Sequence, residues 1–249
     1  VRSSTPAICF PLERVRLTGW LSVDGLAGKN ACGDITEGHA GTECDAAAGV
    51  MAVHDAVHII AHSEQPRNRR AVFVDSALLP RMLRPIVEQV ARTTQEHVSV
   101  GVRDGDDIVH VVRSRYSHIT SMSIRPGSRV PMYCTGSGRL WLASFSPEAL
   151  CAYFQRNPPR AITPYTLTDE ALIRREIALA GERGYVMVDQ EYEVGMRVLS
   201  VPLIDREGQL QATLTLTTHA SRMTVEDMRE RYLSPLYEGQ ALLRPIMTL

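Results

Sequence analysis

PGSRVPMYCTGSGRLWLASFSPEAL, residues 126–150, is the stretch from which the rest of the chain is read. At its centre, YCTGSGR (133–139) sets two glycines beside Cys134, Thr135, Ser137 and Arg139. It is not a phosphate loop, because GxxxxGK[ST] is missing and GSG lacks the third glycine of a dinucleotide fingerprint. Nor is it a nucleophile elbow, since Ser137 sits in TGSGR and not in GxSxG. Cys134 is a candidate nucleophile, but nothing adjacent would lower its pKa, and a lone cysteine before a helix is more often a small buried apolar group. What remains is geometry. Glycines let backbone approach something closely, and the helix that follows has free N–H groups that favour a carboxylate or similar anion. A tight strand-to-helix turn and an anion pocket both fit these residues.

Working outward, the pattern predicts α+β structure with a largely antiparallel sheet. Ser76 is a candidate N-cap for a helix over 77–97, with Leu79, Met82, Leu83, Ile86, Val87, Val90 and Ala91 on one face and a kink or new start at Pro85. VSVGVR and IVHVVR alternate as strands around the hairpin turn DGDD, and ITSMSIR is a third strand. Helices follow through LWLASF and through SPEALCAYFQR, the second capped by Ser146 with Pro147 at its first position. A third helix is expected between Thr168 as cap and Gly184 as stop. YVMVD, RVLSVPLI and LQATLTLTT supply three more strands, and the C-terminal helix is expected to bend or break near Pro235. Residues 1–70 differ. Seven glycines fall between Gly19 and Gly49 and no period emerges.

The totals bound the function. The 249 residues are 44% hydrophobic and 22% charged, enough apolar material for a sizeable core. A net charge of −1 gives no global push toward nucleic acid or membrane, and no apolar run approaches a membrane span. Five scattered cysteines without CxxC fit a reducing cytoplasm, the expected location. Cys32, His39 and Cys44 match no standard zinc spacing, so no metal or cofactor is expected. Asp189, Glu191 and Glu193 crowd before Gly195, but no ligand set accompanies them. The favoured reading there is a solvated loop in which Arg197 pairs with a carboxylate. Thr215 and Thr217 share one strand face and Leu214 and Leu216 the other, so the hydroxyls line either a polar pocket or an exposed sheet face. His219 and Arg222 mark a strand end and turn.

The order of 126–150 and then ERGYVMVDQEYEVGMRVLSVPLIDREGQLQATLTLTTHASR (182–222) resembles the effector-binding domain of IclR-type bacterial transcriptional regulators. VDQEYEVGMR and TTHASR are most similar to the branch that controls aromatic-acid (β-ketoadipate pathway) catabolism. The resemblance runs from about Leu78 to Leu243. It implies a GAF-like domain over 71–249: a curved, six-stranded, largely antiparallel sheet flanked by helices, with a small-molecule pocket between sheet and loops. It implies further that Gly136 and Ser137 hold the effector's carboxylate and that Ile119, Met122, Met196 and Val198 are apolar walls. Thr215 and Thr217 would face the ligand. Val188 stands where some relatives carry an acidic pocket residue, and an apolar wall suits an aromatic ring.

The implied function is ligand-responsive transcriptional regulation, not catalysis, with an effector of the protocatechuate, 4-hydroxybenzoate or β-ketoadipate type. DNA and a homodimer or homotetramer are the implied partners, and no membrane. Residues 1–70 occupy the place of the family's winged helix-turn-helix but show no such pattern. Their one basic cluster is Arg67, Asn68, Arg69 and Arg70. The alternatives are a sensing domain that has lost DNA binding and a thiol-dependent enzyme using Cys134.

Overall fold

The computed structural model describes residues 78–114 and 125–247. In chain order these form α1 (Leu78–Thr94), β1 (His97–Asp104), β2 (Asp107–Arg113), β3 (Arg129–Pro131), α2 (Gly136–Leu142), α3 (Pro147–Arg156), α4 (Glu170–Arg183), β4 (Val186–Asp189), β5 (Met196–Ile204), β6 (Leu210–His219) and α5 (Val225–Leu243). The described strands make one sheet in the order β3-β2-β1-β6-β5-β4, and every neighbouring pair is antiparallel.

The period-2 alternation of the strands sorts their side chains onto two unlike faces. Val98, Val100 and Val102 of β1, Leu199, Val201 and Leu203 of β5, and Ala212, Leu214 and Leu216 of β6 build the main core. Helix α1 closes that core with Leu83, Val87, Val90 and Ala91, and α5 with Met228, Tyr232, Leu236 and Leu243. Each Val, Leu or Met among them contributes about 1.5–3 kcal/mol through burial. The opposite face carries Ser99 and Gly101 of β1, His110 of β2, Ser200 of β5 and Thr213, Thr215 and Thr217 of β6, all buried. A buried polar face must find hydrogen bonds or bind something that supplies them. Short helix α2 lies across it, and this is where the site forms.

Five of the six expected strands occur, along with the Gly105–Asp106 turn, in which Gly105 takes φ 61°. ITSMSIR lies almost wholly outside the described residues, as do Ser76, the basic cluster 67–70 and the whole segment 1–70. The short β3, not expected, pairs with β2 just before the glycine loop. Three local expectations are corrected. The cap of α4 is Asp169, whose carboxylate accepts from Ala171 N, in place of Thr168. Helix α2 opens inside the loop at Gly136, because Thr135 already caps it. Helix α5 runs unbroken through Pro235, begun by a capping box between Thr224 and Asp227. Gly184 ends α4 in the left-handed conformation, as expected.

Candidate functional site

The site is built where β3 runs into α2. Thr135 is extended, at φ −124° and ψ 148°, and its Oγ1 accepts from Gly138 N at 3.2 Å. The same hydroxyl donates to the Pro131 carbonyl at 2.8 Å, so one side chain fixes both ends of the turn. Gly138 is required by packing. A Cβ there would lie 2.1 Å from Met132 Cα and 2.2 Å from its carbonyl oxygen.

Arg139 does not face a ligand. It is buried, donates from Nε to the Tyr133 carbonyl at 2.9 Å, and donates from Nη2 to Glu191 Oε2 at 2.7 Å. Glu191 also accepts from Leu167 N at 3.1 Å. The hydroxyls of Thr163 and Thr166 donate to the carbonyls of Gln190 and Glu191 at 2.7 and 2.6 Å. This corrects the reading of 189–195 as a solvated acidic loop: Glu191 is only 6% exposed and its charge is neutralised by Arg139. Arg197 does pair with a carboxylate, through two bonds to Asp189 at 2.8 and 3.0 Å.

The first turn of a helix has N–H groups with no acceptor inside the helix. In α2, Thr135 N donates to the Met132 carbonyl and Gly138 N to Thr135 Oγ1. Among the described residues, that leaves the N–H groups of Gly136 and Ser137 without an acceptor. They border a cavity of about 30 Å³ on the polar face of the sheet. Val130, Val188, Tyr192, Met196 and Val198 give it apolar walls, and Thr215, Thr217, His110 and Cys134 also reach it. Thr215 Oγ1 lies 3.0 Å from Ser137 Oγ and 2.9 Å from Ser200 Oγ, a hydroxyl relay that holds α2 against β5 and β6.

Six of the eight residues singled out from the sequence therefore converge: Gly136, Ser137, Met196, Val198, Thr215 and Thr217; Val188 lines the same cavity. Ile119 and Met122 lie outside the described residues. Thr215 lines the cavity, but its hydroxyl is already engaged by two others. Sequence reasoning missed Tyr192, Val130 and His110. For His110 a signal existed: in IVHVVR it alternates with Val109 and Val111, so once those valines face the core, the imidazole must face the threonine row. Burial, reinforced by the positive charge of Arg113, pulls the His110 imidazole down to about 4, so it is neutral near pH 7. Burial, with Glu191 adding to it, pushes the Cys134 thiol up to about 12. A thiol so protonated is a poor nucleophile, which removes the physical basis for Cys134 chemistry. Among the described residues no group of His, Cys, Asp and Glu is placed to hold a metal ion, and no helix is long and apolar enough to cross a membrane. Cys32, His39 and Cys44 lie outside the described residues.

A curled antiparallel sheet with helices on both faces and a cavity under a glycine-rich loop defines a GAF-like small-molecule-binding domain. Residues 71–239 match the model of the bacterial transcriptional regulator IclR C-terminal domain, so the chain belongs to the IclR family, one of regulators rather than enzymes. It is 32% identical over 162 residues to the Pca regulon regulatory protein of Pseudomonas putida, covering 65% of this chain and 56% of that protein. The chain thus spans little more than half the length of that curated relative. The IclR protein of Thermotoga maritima superposes with a TM-score of 0.64 at 25% identity, over 72% of each chain. The inducer-binding domain of a double mutant of the Acinetobacter transcription factor PobR, in complex with 3-hydroxybenzoic acid, has the same fold. Its TM-score is 0.64 at 23% identity, over 68% of this chain and 98% of that one.

Proposed function

We propose that residues 71–249 are the sensing unit of a transcriptional regulator and bind a small aromatic carboxylate in the cavity beneath α2. The observation that carries this reading is the pairing of two unengaged N–H groups, at Gly136 and Ser137, with walls made by Val188, Met196 and Val198. The N–H groups stabilise a carboxylate without a counter-charge, as a helix N-terminus does. The walls replace water around a ring. The arginine of the loop takes no part in anion binding, since Glu191 neutralises it. Where relatives of this family place an acid, Val188 presents only methyl groups, which favours an aromatic ring over a very small oxoacid. Effector binding then favours one arrangement of the domain and of its homodimer or homotetramer, and the partner DNA responds to that shift.

A thermal-shift screen tests the reading with protocatechuate, 4-hydroxybenzoate, β-ketoadipate and pyruvate. A ligand at a hundred times its Kd stabilises the fold by about 2.7 kcal/mol. The expected outcome is a shift with an aromatic acid that is lost in Gly136→Asp, a variant that sets a carboxylate beside the two N–H groups. Gly136→Asp must also displace Ser200, whose Oγ lies 2.5 Å from where the new Cβ would stand. Its own cooperative melt is therefore the control. Shifts with pyruvate alone would refute the aromatic assignment.

A further inference from the structure

We infer that His110 is a specificity-determining residue of this pocket: its imidazole hydrogen-bonds a ring hydroxyl of the effector and so selects hydroxylated aromatic acids over the unsubstituted ring. The inference rests on the aromatic-acid reading above and adds a residue and a chemical group to it.

His110 sits on β2, only 5% exposed, and lines the cavity that Gly136 and Ser137 border from α2. Its Nδ1 is buried and has no hydrogen-bond partner among the described residues. An imidazole carries one donor and one acceptor when neutral, and leaving either unmatched in a dry site costs about 1–3 kcal/mol. A fold retains such a group at small cost only where something else completes it. The surroundings fit a bound hydroxyl. Across the sheet, β1 separates His110 from β6, and the residue paired with His110 on β1 is Gly101. Gly101 pairs in turn with Thr213. A Cβ at Gly101 would stand 2.9 Å from Ile108 Cγ2 and 3.3 Å from both Ser137 Oγ and Thr213 Oγ1, so glycine there lets Ile108 and α2 pack closely on the sheet beside the threonine row. Adjacent strands lie about 4.8 Å apart, so two spacings separate β2 from β6. The carboxylate end is fixed by the N–H groups of α2. The imidazole is then the polar group left on the β2 side, while Val188, Met196 and Val198 supply apolar contact from β4 and β5. A hydroxyl can both donate and accept, so it satisfies either tautomer of the ring. Arg113, three residues along β2, repels a proton from His110, which keeps the acceptor nitrogen available.

Calorimetric titration of the full chain with benzoate, 3-hydroxybenzoate and 4-hydroxybenzoate tests this, using wild type, His110→Phe and His110→Gln. Wild type should bind at least one hydroxybenzoate about tenfold or more tighter than benzoate, the discrimination expected of a site that pairs a hydroxyl. His110→Phe keeps a ring of similar size and removes the hydrogen bond. It should lose the preference, binding the hydroxybenzoates no tighter than benzoate. His110→Gln, which retains a donor and an acceptor, should restore part of it. An unchanged preference in His110→Phe would overturn the role of His110 while leaving the pocket reading intact. Binding of none of the three acids by a wild-type protein that melts cooperatively would overturn both.

Discussion

His110 and Arg139 show how far one side chain can depart from what its type suggests. The imidazole titrates near pH 6.5 in an unfolded chain and near 4 when folded. Between those values the unfolded state holds a proton that the folded state does not. Stability attributable to this residue is therefore intact above pH 6.5 and falls as pH drops through the window, by roughly 3 kcal/mol in total. Melting curves from pH 7 to pH 4 should show a steeper loss for wild type than for His110→Gln, whose amide does not titrate. Parallel slopes would mean that the imidazole is not desolvated. Arg139 makes the opposite point, a charge buried because it is matched. Arg139→Met would strand the Glu191 carboxylate and should cost about 3–5 kcal/mol in urea unfolding. The double variant Arg139→Met, Glu191→Leu should recover much of that loss, because it removes both charges together. No periodicity in the sequence pointed to this pair. Fifty-two residues separate its members, and burial of a matched pair arises only from tertiary packing.

Among the elements, α2 is short, and its position depends on contacts rather than on helix propensity. Its approach to the end of β3 requires Gly138, where any Cβ overlaps the Met132 backbone. Gly138→Ala should destabilise by about 3 kcal/mol or more and lower Tm sharply. Loss of the α5 cap in Thr224→Ala should cost only about 1 kcal/mol, since water can replace the lost bond. Equal melting points for the two variants would contradict the packing argument. Most elements were legible because their signals are local. Ser146 before Pro147 starts α3, Gly184 ends α4, and the alternation in LTLTT assigns the leucines and threonines of β6 to opposite faces. Two signals misled. Thr168 and Asp169 are both good caps, and only the turn geometry selects the second. The helix expected after YCTGSGR begins inside it, four residues before the apolar run, because Thr135 caps it and glycine carries no sequence sign of helix. Alternation put Thr215 and Thr217 of β6 on one face, while Met196 and Val198 of β5 were named through the family resemblance. The pocket residues contributed by β2 and β3 required knowing which strands share the sheet.

For the whole molecule, the two faces of the sheet divide the labour: one is packed with Val, Leu and two long helices, the other is polar and covered by α2. The family assignment and the proposed homodimer or homotetramer lead to a measurable expectation. Light scattering at micromolar concentration should give a dimer or a tetramer, and a monomer would refute the quaternary part of the proposal. The dimensions of the cavity carry a kinetic consequence. A void of about 150 Å³ accommodates a benzene ring, several times the 30 Å³ beneath α2. On the aromatic-acid proposal, binding then requires lining side chains such as Met196 or Tyr192 to move aside, and the ligand captures a minority open conformer. Association followed by stopped flow should then saturate with ligand concentration at the rate of opening. Met196→Ala should raise that plateau, at a cost of about 2–5 kcal/mol in stability. On this mechanism the tempo at which the regulator senses its effector is a property of the protein's own breathing and not of how often the molecules meet.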